Sequence, residues 1–203
     1  MKILAVSDIE SKYFYDFYAP GKLDGIDLIL ACGDLNRAYL EFLVTMSGAT
    51  VLYVHGNHDE RLDKAPPEGC VCVDDQVYVH NGVRVLGLGG SYRYRDGKYM
   101  YTEAQMRRRI RRLWLRLRRH KGFDILLTHA PARGINDFDS LSHRGFECFV
   151  GLLDKYRPKF FVHGHIHKNY GVHIPQRTQR DGTTVINAYE YCLFEYETED
   201  PRG

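Results

Sequence analysis

Five short apolar runs, each breaking off into a polar turn, constrain this chain more than any other feature. They lie at 3–7 (ILAVS), 28–32 (LILAC), 51–55 (VLYVH), 125–128 (ILLT) and 160–163 (FFVH). Runs this short, bounded by Gly, Asp, Asn and His, suit buried strands. Helix-length patterns lie between them, at roughly 38–46, 103–120 and 146–156, the last stopped by Pro158. Strands alternating with helices predict an α/β domain. With 203 residues, 44% apolar and 27% charged, the chain has the composition of a soluble globular protein and the length of a single domain over 1–203.

The middle and the end of the chain follow another pattern. Asn81-Gly82 sits between apolar runs at 76–79 and 83–88, a strong hairpin signal. Runs at 184–188 and 192–197 read as a second, terminal hairpin. A second, partly antiparallel sheet is therefore expected. No repeat, low-complexity tract or linker divides the sequence, and Pro66-Pro67-Glu68-Gly69 reads as a loop.

Cysteine usage and the ends of the apolar runs bear on location. The first residues hold too few apolar side chains for a signal-peptide core, and no run approaches the ~20 residues of a membrane span. The five cysteines lack disulfide-framework spacing and read mostly as buried thiols. A cytoplasmic address with no membrane partner is the expectation. Cys70-Val71-Cys72 is a C-x-C with no second pair, a weak signal for a soft metal.

The residues that follow the strands carry the chemistry. They are Asp8-Ile9-Glu10, Gly33-Asp34-Leu35-Asn36, Gly56-Asn57-His58-Asp59, His129-Ala130-Pro131 and Gly164-His165-Ile166-His167. Ligand sites in open α/β sheets form beyond the carboxyl ends of strands, so these five turns should converge. Residues two apart in extended chain point to one side, which lets Asp8 and Glu10 face one ion, as well as His165 and His167. A single such turn is more often structural than catalytic; five in one context change the balance.

Taken in this order, with GNHD and GHIH at 56–59 and 164–167, the set resembles the calcineurin-like metallophosphoesterases over most of the chain, from Asp8 to His167. The resemblance implies a sandwich of two mixed β-sheets flanked by helices, a four-layer αββα fold, holding two divalent ions. It implies that Asp34 bridges the ions, that Asp8 and His167 bind the first, and that Asn57, His129 and His165 bind the second. His58 would stand beside the substrate phosphate as a general acid or transition-state stabiliser, with Asp59 orienting it. Two ions ~3.5–4 Å apart can clamp the attacking and leaving oxygens and supply hydroxide at neutral pH, and a histidine of ordinary pKa ~6.5 can protonate the leaving oxygen. Mixed imidazole, carboxylate and amide ligands suit Mn, with Fe, Zn or Ni as alternatives, better than Mg or Ca.

Glu10 departs from the family pattern, which places His there. It can be an oxygen ligand that tilts the first site toward harder ions, a partner of the ligands, or a surface charge paired with Lys12. His163 reads as a histidine packed at a strand end, and the glycine-rich 87–91 as a turn close to the site.

Residues 103–121 hold eight Arg and one Lys against one Glu, within a chain of net charge +2. A capping box at 102–105 opens this helix, and Met106, Ile110, Leu113 and Leu117 form its buried stripe, widened by Trp114 and Leu115. The arginines from Arg107 to Arg119 read as a solvated face, with nucleic-acid phosphates as the alternative partner. The loop over 132–145 should overhang the site and offer substrate contacts from Arg133, His143 and Arg144.

These features predict a metal-dependent phosphoesterase acting on phosphodiesters, with phosphomonoesters as the alternative substrate. The competing readings are a nuclease that holds RNA or DNA on the Arg-rich helix and a non-catalytic scaffold of the same fold.

Overall fold

The computed structural model describes residues 1–167 and 175–197. Its first sheet is built from β1 (Lys2–Ser7), β2 (Leu28–Ala31), β3 (Thr50–Tyr53) and β4 (Cys70–Cys72), all parallel, with β13 (Glu190–Glu195) antiparallel on the outer edge of β1. The second sheet runs in the order β11 (Arg177–Arg180), β12 (Thr183–Asn187), β10 (Phe160–His163), β9 (Ile125–Thr128), β6 (Val83–Leu88) and β5 (Gln76–His80). Its four central strands are parallel and its two edge strands antiparallel. A two-stranded ribbon, β7 (Ser91–Tyr92) with β8 (Met100–Tyr101), extends beyond β6.

The period of two explains why these strands are apolar without interruption. In β1, Ile3 and Ala5 face a core shared between the sheets with Leu28, Leu30, Val85, Ile125 and Val162. Leu4 and Val6 face the opposite way, into a cluster with Tyr39, Leu40 and Leu43 of helix α1 (Arg37–Ser47). The second sheet is covered likewise by α2 (Glu103–Arg112), α3 (Trp114–Arg119) and α4 (Glu147–Tyr156), with Leu86, Leu126 and Phe161 against Met106, Leu117 and Phe149. Strands buried on both faces need apolar side chains at every position. The result is helix, sheet, sheet, helix.

Local signals explain most boundaries. Asn81 and Gly82 both adopt positive φ, 47° and 84°, the conformation a tight two-residue hairpin demands, and join β5 to β6. Thr102 and Gln105 form the reciprocal capping box that starts α2. Asn36 caps α1 by accepting from Ala38 N.

Two expectations are corrected. The terminal hairpin does not form: β12 turns back onto β11 through Asp181-Gly182, and β13 crosses to the other sheet to pair with β1. Both partners of that expected hairpin carry consecutive apolar residues, Val185-Ile186 and Tyr191 to Phe194, and pairing choice is a tertiary matter that a short connection at 188–189 does not reveal. The long basic helix breaks at Leu113, which keeps Leu113 and Leu117 buried but turns Trp114 and Leu115 outward, at 55% and 61% exposure. The C-x-C pair lies on edge strand β4. Among the described residues no helix is long and apolar enough to cross a membrane.

Candidate metal centre

Parallel β1, β2 and β3 end on one edge of their sheet, and β9 and β10 end on the same side of theirs, so the five polar turns meet. Two hydrogen bonds tie the two sheets together there. His165 N donates to Asp8 Oδ2 at 2.9 Å, and the His129 ring, through Nδ1, bonds to the Cys32 carbonyl at 2.7 Å. Asp8, Asp34 and His165 all leave their strands in the left-handed region, with φ of 69°, 57° and 67°. Such backbone costs about 1–3 kcal/mol per residue and persists where surrounding structure dictates it. Here it swings each side chain off the strand direction into the cleft.

Two glycines make the close approach feasible. A Cβ on Gly56 would collide with Asp34 Oδ1, and one on Gly164 would collide with Ser7 Oγ. Neither position tolerates a side chain without moving a candidate ligand or its neighbour.

Hydrogen bonds fix which atoms face inward. Because His129 Nδ1 is spent on Cys32 O, its Nε2 faces Asn57 Oδ1 at 2.9 Å and Asp34 Oδ2 at 3.5 Å. His165 Nε2 is spent on the Ser142 carbonyl at 2.7 Å, which leaves Nδ1 for the interior. This is the outer-shell arrangement that sets the tautomer of a metal-binding histidine. Asp8 Oδ1 is buried without a hydrogen bond, 3.5 Å from His167 Nε2.

Charges in the cleft follow from burial and proximity. Burial opposes the Asp8 carboxylate, yet His167, His129 and Ser7 outweigh it and hold its pKa below the usual value. Burial and the neighbouring His129 push His165 down to about 3, so it is a neutral donor. Burial also opposes charge on His129, but Asp34, Asp8 and the Cys32 carbonyl raise its pKa above the ordinary value. A proton on Nε2 therefore satisfies the converging oxygens in the metal-free protein, and a divalent cation would compete for the same lone pair.

The residues fit a metal ion. Ligand atoms of Asp8, His129 and His165 lie within 4.8 Å of one another. They line a cleft of about 270 Å³ together with Asp34, Asn57, His58 and His167 or back directly onto it. An orphaned buried carboxylate oxygen and converging acceptors call for a cation, and the mixed nitrogen and oxygen donors suit a borderline divalent ion.

Other expected residues fall elsewhere. Glu10 Oε1 accepts from Asn36 N at 3.1 Å, beside the Asp34 turn, and Glu10 is not among the residues that line the cleft. Asp59 is buried and does not bond the His58 ring; its Oδ2 accepts from Asp34 N at 2.7 Å and Gly56 N at 2.8 Å. Burial, with Asp34 nearby, raises its pKa. Arg133 is engaged by Asp137 and Asp139, and Arg144 lies over the Tyr92 ring. Of the three expected substrate contacts, His143 lines the cleft. His163 is a fully buried strand residue.

Sequence reasoning missed Tyr94 and Ser142 in the cleft wall and Arg95, whose Nη2 is 3.4 Å from His58 Nδ1. Residues 93–99 follow the glycine turn as an aperiodic polar stretch, and only their position after a site-forming strand could have drawn notice.

The model of the family described as calcineurin-like phosphoesterase matches residues 1–169. The chain belongs to the calcineurin-like phosphoesterase family. Metal-dependent hydrolysis of phosphate esters is the general activity of that family. The human protein named metallophosphoesterase domain-containing protein 1 is 34% identical over 85 residues, which are 40% of this chain and 24% of that protein. The mouse protein of the same name matches equally. The aligned part thus spans about a quarter of the curated relatives. In structure, the chain is similar to TT1561 of Thermus thermophilus, with a TM-score of 0.62, 16% identity and coverage of 93% of this chain and 89% of that one. That likeness concerns the fold.

Proposed function

We propose that this chain is a phosphodiesterase using two divalent ions, Mn²⁺ first among them, held by Asp8, Asp34, Asn57, His129, His165 and His167. When bound, the ions supply Lewis acidity and a hydroxide nucleophile at neutral pH. The chain's own residues do the rest. Asp34 Oδ1 accepts from His58 N at 2.8 Å and so fixes the base of the His58 side chain at the cleft wall. With Arg95 donating to Nδ1, the neutral imidazole carries its proton on Nε2, from which it can hydrogen-bond to a phosphate or leaving-group oxygen and stabilise the charge that develops there.

The observation that carries the diester reading is the disposition of the arginines. Arg133 is held by Asp137 and Asp139, Arg144 lies over the Tyr92 ring, and neither lines the cleft, so among the expected phosphate contacts no guanidinium is offered for the second charge of a monoester. Arg95 beside His58 matches a single negative charge, and the partly open mouth lets a second ester group extend past Tyr94. The free thiols of all five cysteines support a cytoplasmic site of action.

The test is hydrolysis of an aryl phosphodiester against the corresponding monoester in Mn²⁺, for wild type and His58→Ala. Faster turnover of the diester, lost in His58→Ala, supports the reading. A preference for the monoester overturns the diester assignment, and equal inertness of both proteins favours the scaffold.

One observation favours nucleic acid as a partner. Arg108, Arg111 and Arg112 surround the exposed Trp114 on a single surface, pairing guanidinium groups with a ring on which a base could stack. Binding of single-stranded RNA or DNA that weakens steeply with salt and is lost in Trp114→Ala would establish it; salt-independent binding would dismiss it.

A further inference from the structure

The end of β3 and the end of β4 bring a second set of metal-binding groups together, outside the cleft. His55 follows β3, Cys72 closes β4, and Asp74 lies in the turn before β5. One donor atom from each, Nδ1, Sγ and a carboxylate oxygen, lies within 4.8 Å of the others. His55 Nδ1 is 2.7 Å from Asp74 Oδ2 and 3.8 Å from Cys72 Sγ. The His55 side chain is 9% exposed and that of Asp74 16%, while Cys72 is half-buried, so the group is screened on its inner side and reachable from its outer one.

We propose that His55, Cys72 and Asp74 form a separate binding site for a thiophilic divalent cation, Zn²⁺ in class. A thiolate, an imidazole and a carboxylate are the donor types zinc selects, and three protein ligands leave one position to solvent on the exposed side. The separations suit it. With bonds of about 2.0–2.3 Å in tetrahedral array, donor atoms stand roughly 3.3–3.7 Å apart. The nitrogen to sulfur distance is already close to that. The nitrogen to oxygen distance is a hydrogen bond that opens when an ion replaces the shared proton.

The surroundings hold the donors ready. Asp74 Oδ1 accepts from Gly89 N at 2.7 Å, and His55 O accepts from Gly90 N at 2.7 Å. The His55 ring is stacked on Tyr99 at 4.4 Å between centroids and 7° between planes. Tyr99 is tied in turn to Asp63. The ligands thus come from the first sheet and from the turn that is bonded to the second, and an ion there would pin both behind the Asn57-His58 turn. On binding, Cys72 loses its thiol proton and His55 gives up the proton at Nδ1, carrying its remaining one on Nε2, so uptake releases protons and weakens as pH falls. The set is independent of the phosphodiester reading.

The experiment is titration of the full chain with Co²⁺ as a spectroscopic substitute, followed by Zn²⁺ stoichiometry. The proposed dinuclear ligands include no sulfur, so a near-ultraviolet sulfur-to-cobalt charge-transfer band reports this site alone. Wild type and Asp34→Asn should both show the band, and Cys72→Ser should lack it and bind one Zn²⁺ fewer than wild type. If the band appears in Asp34→Asn while hydrolysis is lost, the two sites are separate; if hydrolysis fails in wild type but the band is present, only the phosphodiester reading falls. No band in wild type, or a band surviving Cys72→Ser, overturns the proposal. A measurement without variants serves if Cys72→Ser does not fold. Zn²⁺ should slow alkylation of Cys72 in wild type more than that of Cys70, and equal rates with and without Zn²⁺ would overturn it.

Discussion

Removing the Asp59 carboxylate should unsettle the Asp34 turn itself before it touches the chemistry of His58. Its Oδ2 receives two buried backbone N–H groups, from Asp34 at 2.7 Å and Gly56 at 2.8 Å. Each donor left without a partner costs about 1–3 kcal/mol, so Asp59→Ala carries a gross penalty of about 2–6 kcal/mol. Burial of the carboxylate, which raises its pKa, offsets part of that, and about 2–4 kcal/mol is the expected net loss. For a domain of this length that corresponds to a fall in Tm of roughly 5–15 °C. Asp59→Asn keeps an acceptor oxygen and loses only the charge, so its penalty should be about 1–2 kcal/mol. The assay is thermal unfolding of the metal-free protein, with metal content measured separately after reloading. Both variants should lose stability in that order and bind metal more weakly, because Asp34 is displaced. An Asp59→Asn protein that melts and loads like wild type but fails to turn over would refute the reasoning and restore Asp59 as an orienting partner of His58.

Three further outcomes follow from the same geometry. Gly164→Ala should lose about 1–3 kcal/mol by overpacking against Ser7 and Asp8, and Ser7→Gly, which removes the nearest atoms, should recover part of it in chemical denaturation. Glu10→Ala should retain the full metal content by elemental analysis, since the Glu10 carboxylate accepts from Asn36 N; loss of one ion would make Glu10 a direct ligand. Burial opposes the Asp124 carboxylate, but Arg84 bonds it through both side chain and backbone and lowers its pKa below the ordinary 3.8. A carboxylate with a depressed folded-state pKa contributes stability above its unfolded pKa and loses it as pH falls through the folded one. Asp124→Asn should therefore cost roughly 1 kcal/mol at pH 7 and progressively less below pH 3.8, read from denaturation midpoints across that range.

What could be read in the sequence divides by the range of the interaction that decides it. Strand cores at 3–7 and 125–128 were legible because both faces are buried and every residue must be apolar. The Asn81-Gly82 turn and the Thr102 to Gln105 box were legible because each is decided within four residues. The convergence of the candidate ligands was legible as strand ends, since parallel strands carry their carboxyl ends to one edge. The partner of β13 was not, because its apolar run Tyr191 to Phe194 suits a place beside either β12 or β1 until the sheets are packed. Trp114 and Leu115 lie to the side of the stripe of Met106, Leu113 and Leu117, which keeps its phase across the break at Leu113, so apolar character alone did not place them in the core. Arg95 was missed for another reason: it reaches His58 across 37 residues from a loop with no periodic signal.

The central claim is that Asp8, Asp34, Asn57, His129, His165 and His167 hold two ions that hydrolyse a phosphodiester. The most direct test loads wild type and Asp34→Asn with Mn²⁺, an ion that does not favour the thiolate of Cys72, and measures metal content and aryl phosphodiester hydrolysis on the same samples. Two ions with turnover in wild type, and fewer than two with turnover abolished in Asp34→Asn, are the predicted results. A wild type that binds no Mn²⁺, or an Asp34→Asn protein that hydrolyses the diester at the wild-type rate, would contradict the account.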